Sequence, residues 1–161
     1  MSTSITNFQN TIAHGQFAND GGTMLFFLPD IIANFSFPAT PIFSKNIVKT
    51  NTSDFGVVVQ QDGTYFVDFS FIAVNGNSTT YTLTLYVNNT AYYSKIGGGI
   101  RLTFFQPAIS QQLEVSLSSL VLLKANDIIT FKVIANTLPS NTLLAKDVKI
   151  NLHNLQQLGI H

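Results

Sequence analysis

The groups through which this chain could do chemistry are few and scattered. It has one glutamate, Glu114, and aspartates at 20, 30, 54, 62, 68, 127 and 147. No two of them stand at a spacing that one element would turn into an acid/base pair. His14, His153 and His161 show neither the i, i+2 nor the i, i+4 spacing of metal ligands. With no cysteine, disulfides, thiolate nucleophiles and sulfur metal sites are excluded. No nucleophile-elbow motif is present, and Gly97-Gly98-Gly99 is not followed by the Lys-Ser/Thr of a phosphate loop. The expectation is a protein that is not an enzyme, with no cofactor and no catalytic, cofactor-binding or metal residue. Four tripeptides, beginning at Asn34, Asn51, Asn77 and Asn88, match the N-glycosylation pattern. In a chain rich in Asn, Ser and Thr such matches arise by chance.

The elements that would position any site are strands. Tyr65, Val67, Phe69 and Phe71 alternate with Phe66, Asp68 and Ser70, and Tyr81, Leu83, Leu85 and Val87 share another face. Leu113–Leu117, Ile129–Val133 and Val148–Leu152 alternate in the same way. Shorter candidates are 25–28, 34–37, 56–60, 100–105 and 120–123. Between them stand turn residues: Gln61-Asp62-Gly63 and Asn75-Gly76-Asn77-Ser78 read as hairpins, Asn88-Asn89 and Ala125-Asn126-Asp127 as tight turns. Helical periodicity is confined to Ile5, Phe8 and Ile12. The fold class is all-β: a sandwich, jelly roll or barrel.

A single domain boundary is expected, at Gly21-Gly22, between a polar N-terminal arm (1–22) and a compact body (23–161). The arm carries Ile5, Phe8, Ile12 and Phe17, too sparse for a core but suited to docking on a neighbouring subunit. No secretory signal is visible at the start of the chain. The most apolar window, 24–43, is broken by Pro29, Asp30, Asn34, Pro38 and Pro41, so no membrane insertion is expected.

Only 10% of the 161 residues are charged, and eight Lys+Arg balance eight Asp+Glu. That excludes the basic footprint of a nucleic-acid binder. It also leaves little charge repulsion between copies, which favours self-association. The parity of the strands sends Phe66 and Ile128 outward, beside Asp68, Thr130 and Lys132. Outward aromatic and aliphatic side chains on a weakly charged surface mark a subunit interface, so these five residues are the expected interface of an oligomer. Asp68 and Lys132 are expected to face each other across neighbouring strands.

Several segments, in order, resemble the C1q/TNF-like jelly-roll family. They are Thr40-Pro41-Ile42-Phe43, Phe55–Val59, and Asp62-Gly63-Thr64-Tyr65-Phe66-Val67-Asp68-Phe69-Ser70. Leu83–Asn89 is similar to that family's Val-Asn-Gly hairpin, with Asn89 in place of Gly. Ser118–Ile129 is similar to its Leu-x-x-Gly-Asp turn, with Asn126 in place of Gly, and Val148–Leu152 fits its closing strand. The resemblance implies a two-sheet antiparallel sandwich forming compact homotrimers. Within the family the chain is most similar to the bacterial branch, the C-terminal domains of collagen-like spore-surface (exosporium) glycoproteins, although no Gly-X-Y stalk is present. The implied role is a structural subunit of a spore or cell-surface layer or fibre, with itself and other surface-layer proteins as partners. The alternative is a carbohydrate-binding or receptor-binding head, including a phage or viral fibre head, with glycans held at Tyr92, Tyr93 or Asn residues. The calcium site of some members is not expected, because no acidic loop cluster is present.

Overall fold

The computed structural model describes residues 12–19, 24–27, 32–35, 37–74, 79–94, 98–106, 112–135 and 142–155. Among them there is no helix. In chain order the strands are β1 (His14–Asn19), β2 (Met24–Phe27), β3 (Ala33–Asn34), β4 (Thr40–Lys45), β5 (Ile47–Lys49), β6 (Gly56–Val59), β7 (Gly63–Val74) and β8 (Thr79–Val87). There follow β9 (Thr90–Ala91), β10 (Tyr93–Ser94), β11 (Gly98–Gly99), β12 (Arg101–Gln106), β13 (Leu113–Leu123), β14 (Ile128–Ala135) and β15 (Thr142–Asn154).

All but β10 and β11, which pair only with each other, form two antiparallel sheets. The first has the order β13-β7-β15-β1-β4, with β2 also on β15; the second has the order β12-β8-β14-β6-β5, with β3 on β14 and β9 on β8. Successive long strands switch sheets, so the alternating apolar faces of both sheets turn inward and close a core. On β7, Tyr65, Val67, Phe69 and Phe71 are buried; on β14, Ile129, Phe131 and Val133 meet them. The Phe69 and Phe131 rings stack with centroids 3.9 Å apart, and Phe35 meets Phe69 and Phe71 edge-on at 5.1 and 5.2 Å. Such rings contribute both area and geometry-specific attraction to the core.

Two sequence expectations are corrected. First, the boundary at residue 22 does not separate an arm from a body. Residues 14–19 are β1, an interior strand hydrogen-bonded to β15 on one side and β4 on the other. Phe17 is fully buried in the core rather than held out for a neighbouring subunit, and Ile12 is half-buried just before the strand. A strand paired on both edges needs few apolar side chains, because its backbone bonds hold it; that is why the sparse pattern hid it. Ile5 and Phe8 lie outside the described residues, as do Gly21-Gly22 and the turn at 75–78.

Second, Asp62-Gly63 is not a hairpin. It carries the chain from β6 in the second sheet to β7 in the first. This crossover is knotted by polar bonds. The Tyr65 hydroxyl donates to Gln61 O at 2.8 Å, and the Asn154 amide donates to Asp62 O at 3.0 Å. Ala125 N–H donates to Asp62 Oδ1 at 2.7 Å, and Ala13 N–H to Gln61 Oε1 at 3.1 Å. Burial pushes the Tyr65 hydroxyl up to about 12; the bond to Asn154 works against that rise and the Asp62 charge adds to it. Gly63 (φ +156°) is required here, because a Cβ would lie 2.6 Å from Asn154 Nδ2.

The two tight turns are as expected. Asn88 and Asn89 take φ of 52° and 64° between β8 and β9, and Asn126 takes 76° between β13 and β14.

Candidate functional site

Two regions outside the core gather the candidate residues. One is the outer face of the first sheet. Register aligns Leu120 of β13, Phe66 of β7, His153 of β15 and His14 of β1 in a single row. The His14 and His153 rings stack at 6.5 Å, and Phe43 of β4 lies 5.9 Å from His14. Leu120 is 56% exposed, Leu122 65% and Phe66 39%. Alternation puts Leu122 on the same face as Leu120.

The adjoining row is polar: Ser118, Asp68, Asn151 and Gln16. The Ser118 hydroxyl donates to Asp68 Oδ1 at 2.7 Å, and the Asn151 amide to Oδ2 at 3.5 Å. Asp68 is therefore occupied within its own sheet, and the apolar row ends there.

The other region is a cavity of about 660 Å³ on the outer face of the second sheet. Its floor is Val58 of β6 with Ile128 and Thr130 of β14. One wall is Asn34 of β3 and the turn at 50–54, and the opposite wall is the Asn88-Asn89 hairpin tip. The turn is braced internally: Thr50 N–H donates to Gly56 O at 3.1 Å, Gly56 N–H to Asp54 O at 2.9 Å, and the Thr50 hydroxyl to Asp54 O at 3.4 Å. At the hairpin tip, Ile128 N–H donates to Asn88 Oδ1 at 2.9 Å and the Asn88 amide donates to Asp127 Oδ1 at 2.8 Å. Lys132 donates to Asn89 Oδ1, with its Nζ 4.4 Å from the centroid of the Tyr86 ring. Gly56 lies beneath the threonines: a Cβ there would stand 2.9 Å from Thr130 Cγ2 and 3.0 Å from Thr50 Cγ2. Among the described residues, Asn34 Oδ1 and Thr130 Oγ1 are buried side-chain atoms with no hydrogen-bond partner.

The five residues expected to form one interface thus divide. Phe66 and Asp68 are on the first sheet, and Ile128, Thr130 and Lys132 on the second. Phe66 and Ile128 do turn outward, each 39% exposed. Asp68 and Lys132 do not face each other, because their strands belong to different sheets whose outer faces look in opposite directions. Tyr92 offers no open sugar platform: its ring packs partly buried against the core, and its hydroxyl accepts from Leu122 N–H at 3.1 Å. The side chain of Tyr93 lies outside the described residues. Reasoning from parity missed the cavity, whose lining comes from segments far apart in the chain. A faint signal was present: Asn34, Asn51 and Asn88, three of the glycosylation-pattern asparagines, all line it.

No family model matches the chain, and no curated protein matches its sequence. Solved structures do match its shape. Eiger TNF from S. frugiperda superposes with a TM-score of 0.59 at 16% identity, covering 90% of this chain and 93% of that one. Murine APRIL at pH 5.0 gives 0.57 at 14% identity, covering 88% and 99%. The fold is a TNF-like jelly roll. The PRD1 vertex protein P5 shares the jelly roll at a TM-score of 0.53 and 14% identity, over 88% of this chain and 96% of that one. Among the jelly roll's described residues, no group of three or more His, Cys, Asp or Glu side chains could hold a metal ion. Nor, among the described residues, is any helix long and apolar enough to cross a membrane.

Proposed function

We propose that this chain is a non-enzymatic structural subunit that associates into trimers, which build a layer or fibre on a spore or cell surface. The observation that carries the reading is the apolar row on the outer face of the first sheet. Leu120, Leu122 and Phe66 stand exposed together there, edged by Phe43. Burying each such side chain contributes roughly 1.5–3 kcal/mol, enough for three subunits to hold one another. The near absence of charge on this row removes the usual obstacle to close packing. The trimer, the spore-surface branch and the surface location come from the sequence resemblance. The shape shared with a vertex protein supports an assembly role.

Sedimentation tests it. The wild type is expected to run as a trimer. The double variant Leu120→Asp with Leu122→Asp is expected to run as a monomer with an unchanged far-UV CD spectrum. A wild type that stays monomeric at high micromolar concentration refutes the reading. The second reading, a ligand-binding head, is favoured by one feature, the cavity on the opposite sheet.

A further inference from the structure

The cavity on the second sheet has the chemistry of a receptor for hydroxyl groups. Its lining includes the amide and hydroxyl residues Asn34, Thr50, Asn51, Thr52 and Thr130, with Asp54 as the single carboxylate and no cation. The floor of Val58 and Ile128 is aliphatic. A carboxylate and amides accept from and donate to adjacent hydroxyls in pairs, while an aliphatic floor suits the C–H face of a saturated ring. A lone carboxylate with no cation disfavours an anionic ligand.

A second observation is independent of the lining. Asn34 Oδ1 and Thr130 Oγ1 are buried without partners, and both belong to cavity residues. Buried polar atoms in folded proteins are nearly always satisfied, and an exception calls for a cause. Both residues line the cavity and are only half-buried as a whole, so the side chains that carry these atoms border the space a ligand would fill. Gly56 leaves the space that seats Thr130 and Thr50 over β6.

We propose that this cavity binds a neutral sugar ring, with Asn34 and Thr130 supplying the hydrogen-bonding groups that the fold leaves unused. The proposal rests on the second reading above, and it locates the site and names its ligand class. Its volume of about 660 Å³ accommodates one or two hexose rings. It lies on the sheet opposite the apolar row on which the assembly reading rests.

The test uses the full chain and saturation-transfer NMR. The probes are the methyl glycosides of glucose, galactose, mannose and N-acetylglucosamine, with glucuronic and N-acetylneuraminic acids as anionic controls. At least one neutral glycoside is expected to show transfer, and the acids none. Thr130→Val keeps the shape and removes the hydroxyl. It is expected to weaken binding at least tenfold while leaving the melting temperature equal or higher, an outcome that a purely structural hydroxyl would not give. Asn34→Ala is expected to weaken binding likewise, and Ser116→Ala, on the other sheet, to change nothing. Absence of transfer from every neutral glycoside overturns both the site and the ligand-binding reading. Transfer undiminished by Thr130→Val and Asn34→Ala overturns the site alone, and equal transfer from the acids overturns the neutral class. The Leu120→Asp, Leu122→Asp monomer is expected to bind as the wild type does, so the assembly reading and this one fail separately.

Discussion

Replacing Gly63 by alanine is expected to be among the most damaging single-methyl changes in the protein. The added Cβ would lie 2.6 Å from Asn154 Nδ2 and 2.8 Å from its Cγ, inside van der Waals contact. Asn154 is fully buried, so it has no solvent to swing into. Its displacement breaks the 3.0 Å bond to Asp62 O and the bond to the Tyr65 hydroxyl. Each buried polar group left unpaired costs about 1–3 kcal/mol. A φ of +156° adds about 1 kcal/mol for a residue with a side chain. The sum is a loss of about 3–7 kcal/mol, read as a lower urea midpoint at unchanged m-value. A double-mutant cycle isolates the cause. With Asn154→Ala already made, the three atoms nearest the new methyl are gone, and Gly63→Ala is expected to cost only about 1 kcal/mol. If the two substitutions prove additive, or if Gly63→Ala alone costs less than about 1 kcal/mol, the steric argument is refuted.

Two more expectations concern the same corner and its neighbour. Tyr65 titrates near 12 when folded, against 10 in the open chain, so its contribution is complete below pH 10 and is lost as pH rises from 10 through 12. The loss amounts to about 2–3 kcal/mol, and Tyr65→Phe is expected to remove that segment of the alkaline unfolding curve; an unchanged alkaline limb would refute it. At Asn126, whose φ is 76°, Asn126→Gly is expected to leave stability within about 0.5 kcal/mol, whereas Asn126→Val costs about 1–2 kcal/mol by chemical denaturation. Equal costs for the two would show that the turn does not depend on left-handed backbone.

The faces of the strands were legible because period-two alternation depends only on neighbours in sequence. Phe66 and Ile128 therefore turn outward as their parity demands. Which sheet each strand joins is a long-range fact, and parity is silent about it; Asp68 and Lys132 were paired for that reason. Asp62-Gly63 has the composition of a hairpin, yet the tie between Asn154 and Asp62 makes it a crossover, and that partner stands far along the chain. β1 escaped notice because its support is backbone pairing on both edges. The cavity was invisible for a similar reason, since Asn34, Asp54, Asn88 and Thr130 meet only once β3, β6, β8 and β14 are assembled.

The central position of β15 has a consequence for how the molecule comes into being. As the ribosome delivers the chain, the order β12-β8-β14-β6-β5 can close by residue 135. The other sheet cannot, for β7 with β13 and β1 with β4 are two separate pairs until residues 142–154 slide between β7 and β1. Folding is thus committed late and through distant pairings, the regime in which domains fold slowly. In the interval the Phe69 and Phe131 side of the sandwich stands open beside a vacant strand slot. A β15 delivered by another copy fits that slot as well as the chain's own, so crowded synthesis offers a route to interlocked subunits that are joined by an exchanged strand rather than by surface contact.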